Sequence, residues 1–279
     1  MDRVLDKAKF SSLYASSFAK VTRFNLPSMS DLLFVLGKIQ DDKRITDVRW
    51  AAYILGTMFV ETSHTIRLKE QLGARVRPHK PRTVKAWRNF SPVEEVGHGS
   101  GRPYFRPVKV KRLQTGDAQV TEWDGDQWTV PAGGGRPVPR SEGAARGSGI
   151  LVGPPAANFT HDDGVENQYF GRGYVQLTWW DNYVSAGVAV GRGLAFLYEP
   201  DLMIRPDLAY EIMALGMVTG KTFANGRRLS QYFSGGHSDY VRARDIVNPG
   251  APLSNKKEVG EIAQLFEKVL LDARSGLTP

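Results

Sequence analysis

Apolar positions recur along this chain with two different periods, and the helical period governs both ends. Ser30-Asp31 stand before Leu32, Leu33, Val35, Leu36 and Ile39, a capping pair followed by apolar residues at helical spacing. Asp47 opens a second run in which Tyr53, Ile54, Thr57, Met58 and Glu61 follow Trp50 at offsets of 3, 4, 7, 8 and 11. Those offsets share one helical face, so residues 1–60 read as helical. Pro206-Asp207 begin a further helix over Leu208–Thr222. Lys256–Ala273 closes the chain with Val259, Ile262, Leu265, Phe266, Val269 and Leu270 at the same spacing.

Between these stretches the pattern changes. Residues Gly97–Gly164 hold 13 Gly and 7 Pro, a density that argues against helix. Pro107–Arg112, Ala118–Trp123 and Gln127–Val130 instead have strand character, separated by the turns Thr115-Gly116-Asp117 and Asp124-Gly125-Asp126. The expectation is a mainly α (α+β) fold whose helical domain carries a small inserted β-meander. A Gly/Pro/Arg tether would follow it from about Ala132 to Pro155. The parts expected are residues 1–96 and 165–279 for the helical domain and 97–164 for the insertion.

Composition narrows the class. The 279 residues are 41% hydrophobic and 24% charged, which describes a globular chain with material for a core. Zero Cys excludes disulfides, thiolate metal sites and a cysteine nucleophile. Five scattered His residues form no HExxH-like pair, so neither metal nor cofactor is expected. The longest nearly apolar stretch, Ala51–Val60, is too short to span a bilayer. The N-terminal MDRVLDKAKF lacks the apolar core of a signal peptide, so synthesis in the cytoplasm is expected.

The net charge of +8 is localised. Arg67–Arg112 carries 13 Lys/Arg against Glu70, Glu94 and Glu95, which is more than the whole excess. A polyanionic partner fits that segment, and so does a solvated loop.

Two features carry candidate chemistry. Glu61 sits on the face of Trp50, Tyr53, Ile54 and Met58, where desolvation disfavours the charged carboxylate and favours a general acid. Glu70 lies nine residues on, and paired carboxyls are the minimum equipment for glycoside hydrolysis. Glu94, Glu95, Asp162, Asp163 and Glu166 are further acids of the right type. The second feature is YFGRGYVQLTWWDNY, Tyr169–Tyr183. It lacks the third glycine of a dinucleotide loop, and no phosphate-binding GxxxxGK[ST] occurs elsewhere. Its amides and hydroxyls beside aromatic faces suit a polyhydroxylated, N-acetylated ligand, or else a hydrogen-bonded core.

Taken together, WAAYILGTMFVETSHT, GRPYF, YFGRGYVQLTWWDNY and ARDIVNPG resemble glycoside hydrolase family 19, the chitinases and chitinase-like phage endolysins of the lysozyme superfamily. The matches keep the family's order from about residue 47 to 249. The resemblance implies Glu61 as general acid and Tyr169, Arg172, Gln176, Thr178, Asn182 and Asn248 as substrate-binding residues. Thr178 would help hold the attacking water. Pro249 departs from the family's Ile-Asn-Gly segment. Where plant chitinases place the base this chain has Thr83, whereas Glu70-Gln71-Leu72 fits the endolysin-like context. Glu70 is therefore the implied base, with Glu95 second.

The implied activity is inverting hydrolysis of β-1,4 bonds in peptidoglycan or chitin. Wall lysis of the phage or prophage kind is favoured by the absence of cysteine and by the basic segment. The expected protein is a monomer acting at the bacterial wall or periplasm, docked on its anionic surface through Arg67–Arg112, with no membrane span. A non-catalytic glycan-binding protein on the same scaffold and a nucleic-acid binder are the competing classes, the latter not favoured.

Overall fold

A computed structural model of the chain describes residues 5–19, 29–67, 83–87, 90–95, 108–112, 118–123, 128–131, 138–139, 149–152, 169–193 and 195–274. Among them the fold is mainly α, with small antiparallel sheets. It divides into two compact units. One comprises Met1–Ser91, Tyr232–Arg244 and Gly250–Pro279, and the other Pro92–Gln231 and Asp245–Pro249. These boundaries cut both helical parts expected from sequence and group the insertion with residues on either side of it.

The first unit is built on α1 (Lys7–Phe18), α2 (Met29–Asp41), α3 (Val48–Glu61) and α7 (Leu253–Asp272). The side chains of Asp6 and Asp47 start α1 and α3 by accepting from the amides of Lys9 and Arg49, both at 2.9 Å, as N-caps do. Asp47 was the start read from sequence. The one-sided face was not the outcome, because every residue from Ala51 to Val60 is buried. A helix apolar all round belongs inside the core, and α3 packs against α7 there.

Aromatic rings fill the space beside this pair. Phe18 stands 4.5 Å from both Tyr14 and Phe266 between ring centroids, and Phe59 and Phe90 lie 6.0 and 5.9 Å from Phe266. Two short hairpins complete the unit. Strand β1 (Ser63–Arg67) pairs with β2 (Thr83–Trp87). The other hairpin, Phe233–Ser234 with His237–Ser238, is tied down by Arg49, whose Nη1 donates to the carbonyls of Gly235 and His237 at 3.0 Å each.

In the second unit β3 (Val93–Glu94) pairs with a two-residue strand, Arg172–Gly173. Helices α4 (Trp180–Ala189), α5 (Ala195–Tyr198) and α6 (Pro206–Thr219) follow. Proline starts α6 and Gly220, at φ 76°, ends it. The three insertion strands occur where the sequence places them, as β4 (Val108–Arg112), β5 (Ala118–Trp123) and β6 (Trp128–Pro131).

They do not form one meander. β4 pairs with β5, whereas β6 is the centre of a separate sheet between β7 (Val138–Pro139) and β8 (Gly149–Val152). The expected tether therefore contributes two strands. The β-branched and aliphatic residues of Val138–Pro139 and Gly149–Val152 suffice for short pairing.

Two tests follow from the core. An ideal Cβ on Gly56 would lie 2.9 Å from the N, Cα and Cβ of Ala263, so its contact is with backbone that cannot rotate away. Gly56→Ala should lose about 1–3 kcal/mol in denaturant unfolding, the overpacking exceeding the gain in helix propensity.

The Tyr14 hydroxyl is buried without a hydrogen-bond partner among the described residues, and burial pushes its ionisation above the usual tyrosine range. A raised folded value means full stability below the unfolded value and loss as pH rises past about 10. Tyr14→Phe should therefore add about 1 kcal/mol near neutral pH and blunt the alkaline loss, both read by urea unfolding.

Candidate functional site

Each unit holds part of what the sequence singles out. In the first, α3 delivers Glu61 at its last position, immediately before Thr62, whose amide and hydroxyl both bond to the Met58 carbonyl, at 2.9 and 2.7 Å. The helix therefore ends in a closed turn, and the Glu61 carboxyl keeps only 14% of its side-chain exposure.

Arg244, from the 3-10 turn Arg242–Ile246, forms an ion pair with it through Nη2. The guanidinium is 4% exposed, and its Nε donates to Asn255 Oδ1 at 3.0 Å. Arg244 Nη1 is buried and has no hydrogen-bond partner among the described residues.

This changes the electrostatics expected of Glu61. Burial alone favours the carboxylic acid, but a guanidinium in contact favours the carboxylate. Removing a charged pair from water costs several kcal/mol per ion, so such a pair is weak evidence for stability. Arg244 was missed by the sequence reading, which weighed Asn248 in ARDIVNPG. Nothing in Arg242-Ala243-Arg244-Asp245-Ile246 sets it apart by sequence alone. Asn248 itself is exposed. Glu70, Asp162, Asp163 and Glu166 lie outside the described residues.

In the second unit the Tyr169–Tyr183 string folds as a tight, internally bonded turn. Arg172, 5% exposed, is its hub. Its guanidinium pairs with Glu94 at 3.2 Å and Asp201 at 2.9 Å, donates to the Tyr183 hydroxyl at 3.1 Å, and lies 3.8 Å from the Phe170 ring centroid. Tyr183 in turn donates to the Phe170 carbonyl at 2.6 Å, and Tyr169 stacks edge-on against it. Burial pushes the Tyr183 hydroxyl upward in pKa, against the Arg172 charge, which lowers it.

Arg172 and the buried Tyr169 brace the turn. Their polar and aromatic groups are consumed inside the fold.

The amides are also engaged. Gln176, at φ 50°, donates through Nε2 to the carbonyls of Val93 and Gly173 at 2.9 and 3.2 Å. Asn182 Nδ2 donates to the Thr178 carbonyl at 2.8 Å. Thr178 and Asn182 are both half-buried. Glu95, the second choice of base, accepts the Gly171 amide at 2.9 Å, while its own amide donates to the Gly171 carbonyl at 2.7 Å. That carboxylate caps the turn.

One residue of the string behaves differently. Trp179 is 40% exposed and has φ 73° and ψ 139°, a conformation costing a bulky residue about 1–3 kcal/mol. Among the described residues no group of three or more His, Asp or Glu is placed to hold a metal ion, and no helix is long and apolar enough to cross a membrane.

Arg172→Met should lower stability by about 2–3 kcal/mol in urea unfolding, because three hydrogen-bonded partners and a cation–π contact go together. Arg172→Lys should recover less than half of that, since one ammonium cannot serve Glu94, Asp201 and Tyr183 at once. No family model matches the chain, and no curated protein or solved structure matches it either.

Proposed function

We propose that the protein is a glycoside hydrolase that cleaves β-1,4 bonds in N-acetylhexosamine polymers, peptidoglycan first, on a helical scaffold of the lysozyme-superfamily, family-19 kind. The observation that carries this reading is Glu61. A carboxyl closes a helix whose residues from Ala51 to Val60 are all buried, keeps 14% of its own side-chain exposure, and is paired with a buried arginine.

Glu61 is the proposed proton donor to the leaving glycosidic oxygen. Arg244, held in turn by Asn255, orients that carboxyl. Glu70 is the proposed base, activating water on the opposite face of the sugar in an inverting displacement. The Tyr169–Tyr183 turn of the second unit, braced by Arg172, is the proposed element for recognition of the N-acetyl sugar. The basic segment Arg67–Arg112 attracts the anionic wall, an attraction screened by salt.

The same ion pair favours a second reading, a non-catalytic glycan-binding protein in which Glu61 is a permanent anion. Chitin oligomers are the alternative substrate for the same chemistry.

Turnover separates these. On purified peptidoglycan and on glycol chitin, Glu61→Gln should cut hydrolysis by about 10²–10⁴-fold. Near-UV circular dichroism should stay native. Unfolding should be easier by about 1–3 kcal/mol, because Arg244 keeps its charge and loses its counter-ion. Wild-type activity retained by Glu61→Gln overturns the acid, and no wild-type turnover on either polymer overturns the enzyme reading. Mass analysis of the fragments identifies the bond, by whether the new reducing end is N-acetylmuramic acid or N-acetylglucosamine.

A further inference from the structure

Threonines on a helix commonly turn the hydroxyl back to the carbonyl one turn earlier, and two in this chain do so. Thr62 Oγ1 donates to the Met58 carbonyl at 2.7 Å, and Thr219 Oγ1 to the Leu215 carbonyl at 2.6 Å. Thr57, within α3, does not. It is wholly buried, and its hydroxyl has no hydrogen-bond partner among the described residues.

The face of α3 that carries Thr57 runs along one segment of the chain. Trp50 Nε1 donates to the Phe233 carbonyl at 3.2 Å. The Tyr53 ring lies 5.4 Å from Phe233 and 6.4 Å from Tyr240 between centroids, and Glu61 pairs with Arg244. Thr57 stands one turn after Tyr53 and one turn before Glu61, so it faces the stretch from Tyr240 to Arg244. A second unmatched atom lies in that stretch. Arg244 Nη1 is buried without a partner among the described residues, although Asn255 holds Nε and Glu61 holds Nη2. Helical side chains lean toward the preceding turn, which puts the Glu61 carboxyl and the guanidinium on it over the turn of Thr57.

The two atoms are complementary, since a guanidinium N–H only donates while a threonine oxygen also accepts. They are not bonded to each other, so the gap between them is longer than one hydrogen bond. One water spans two such bonds, and buried waters sit where a few polar groups converge.

We propose that one internal water bridges Arg244 Nη1 and Thr57 Oγ1, and that Thr57 is thereby a positioning residue for the Glu61–Arg244 pair. The water accepts from Nη1 and donates to Oγ1. Each nitrogen of the guanidinium then has its own anchor: Asn255 on Nε, Glu61 on Nη2 and the water on Nη1. A planar fork held at all three points keeps its orientation toward the carboxyl beside it. The water site stands on these contacts, and its consequence for turnover rests on the hydrolase reading above.

Thr57→Val keeps the shape, removes the hydroxyl and tests the bridge by the sign of its effect. A buried hydroxyl without a partner is better replaced by a methyl, whereas losing a bridged water leaves Arg244 Nη1 unmatched. Thr57→Val should therefore melt about 2–4 °C below wild type. A high-resolution crystal structure should show water density within hydrogen-bonding distance of both atoms, and Thr57→Val should lose it. On soluble uncrosslinked peptidoglycan strands, Thr57→Val should lower kcat about tenfold with KM within about twofold of wild type. Thr57→Ser, which keeps the hydroxyl, should restore most of that kcat.

Thr57→Val melting at or above wild type overturns the bridge. Density showing a protein side chain on Nη1, or the Thr57 hydroxyl bonded to a carbonyl of its own helix, also overturns it. Unchanged kcat in Thr57→Val, with wild-type turnover present, overturns the positioning role alone. If the wild type turns over neither polymer, the hydrolase reading and the role in turnover fall together, while density and melting still decide the water.

Discussion

Helix α3 can lie directly on α7 only because position 56 carries no side chain. The backbone of Ala263 occupies the place that a Cβ at Gly56 would need, at 2.9 Å, so the two helices touch almost backbone to backbone. That closeness buries ten consecutive residues of α3, and it brings Phe59 and Phe266 within 6.0 Å of each other beside Phe18 and Phe90. Helices that approach this closely have little freedom to slide, because interiors are packed at crystal-like density. The position of the last residue of α3 is therefore fixed by a contact near the helix middle.

The same contact sets the surroundings of that last residue. Glu61 ends α3, and Asn255, which holds Arg244 by its Nε, lies in the first turn of α7. The carboxylate and the group that orients its counter-ion thus sit on the two helices that the Gly56–Ala263 contact locks together. A guanidinium has a planar fork, so fixing Nε fixes where Nη1 and Nη2 point. One donor meets Glu61 and the other is left buried without a partner among the described residues. An unmatched buried donor there costs stability.

Much of this was legible in the sequence wherever the determinant was local. Asp47 caps α3 because a short acidic side chain can reach the amide two residues on, and that depends only on neighbours. The β4, β5 and β6 segments were legible for the same reason, being short stretches that alternate apolar and polar residues between turn-forming ones. Which strand pairs with which was not, because β6 finds β7 and β8 through contacts that turn chemistry leaves open. Arg244 was invisible for a related cause. Its partner Glu61 stands 183 residues away, and nothing near Arg244 in the chain states which carboxylate it will meet.

The Gly-Arg-Gly string shows how residue type and environment part company. By residue type alone the string reads equally as a sugar-binding turn or as a hydrogen-bonded core. In the fold, Gly173 at φ 83° brings the backbone so near the Met203 carbonyl that a Cβ would lie 3.1 Å from it. Arg172 beside it is driven inward, where Glu94, Asp201 and Tyr183 meet its charge and Phe170 its face. The glycines are there for close approach of the chain, and the arginine for satisfying the polar groups this encloses. What it provides is a rigid base for the residues of the turn that do reach the surface.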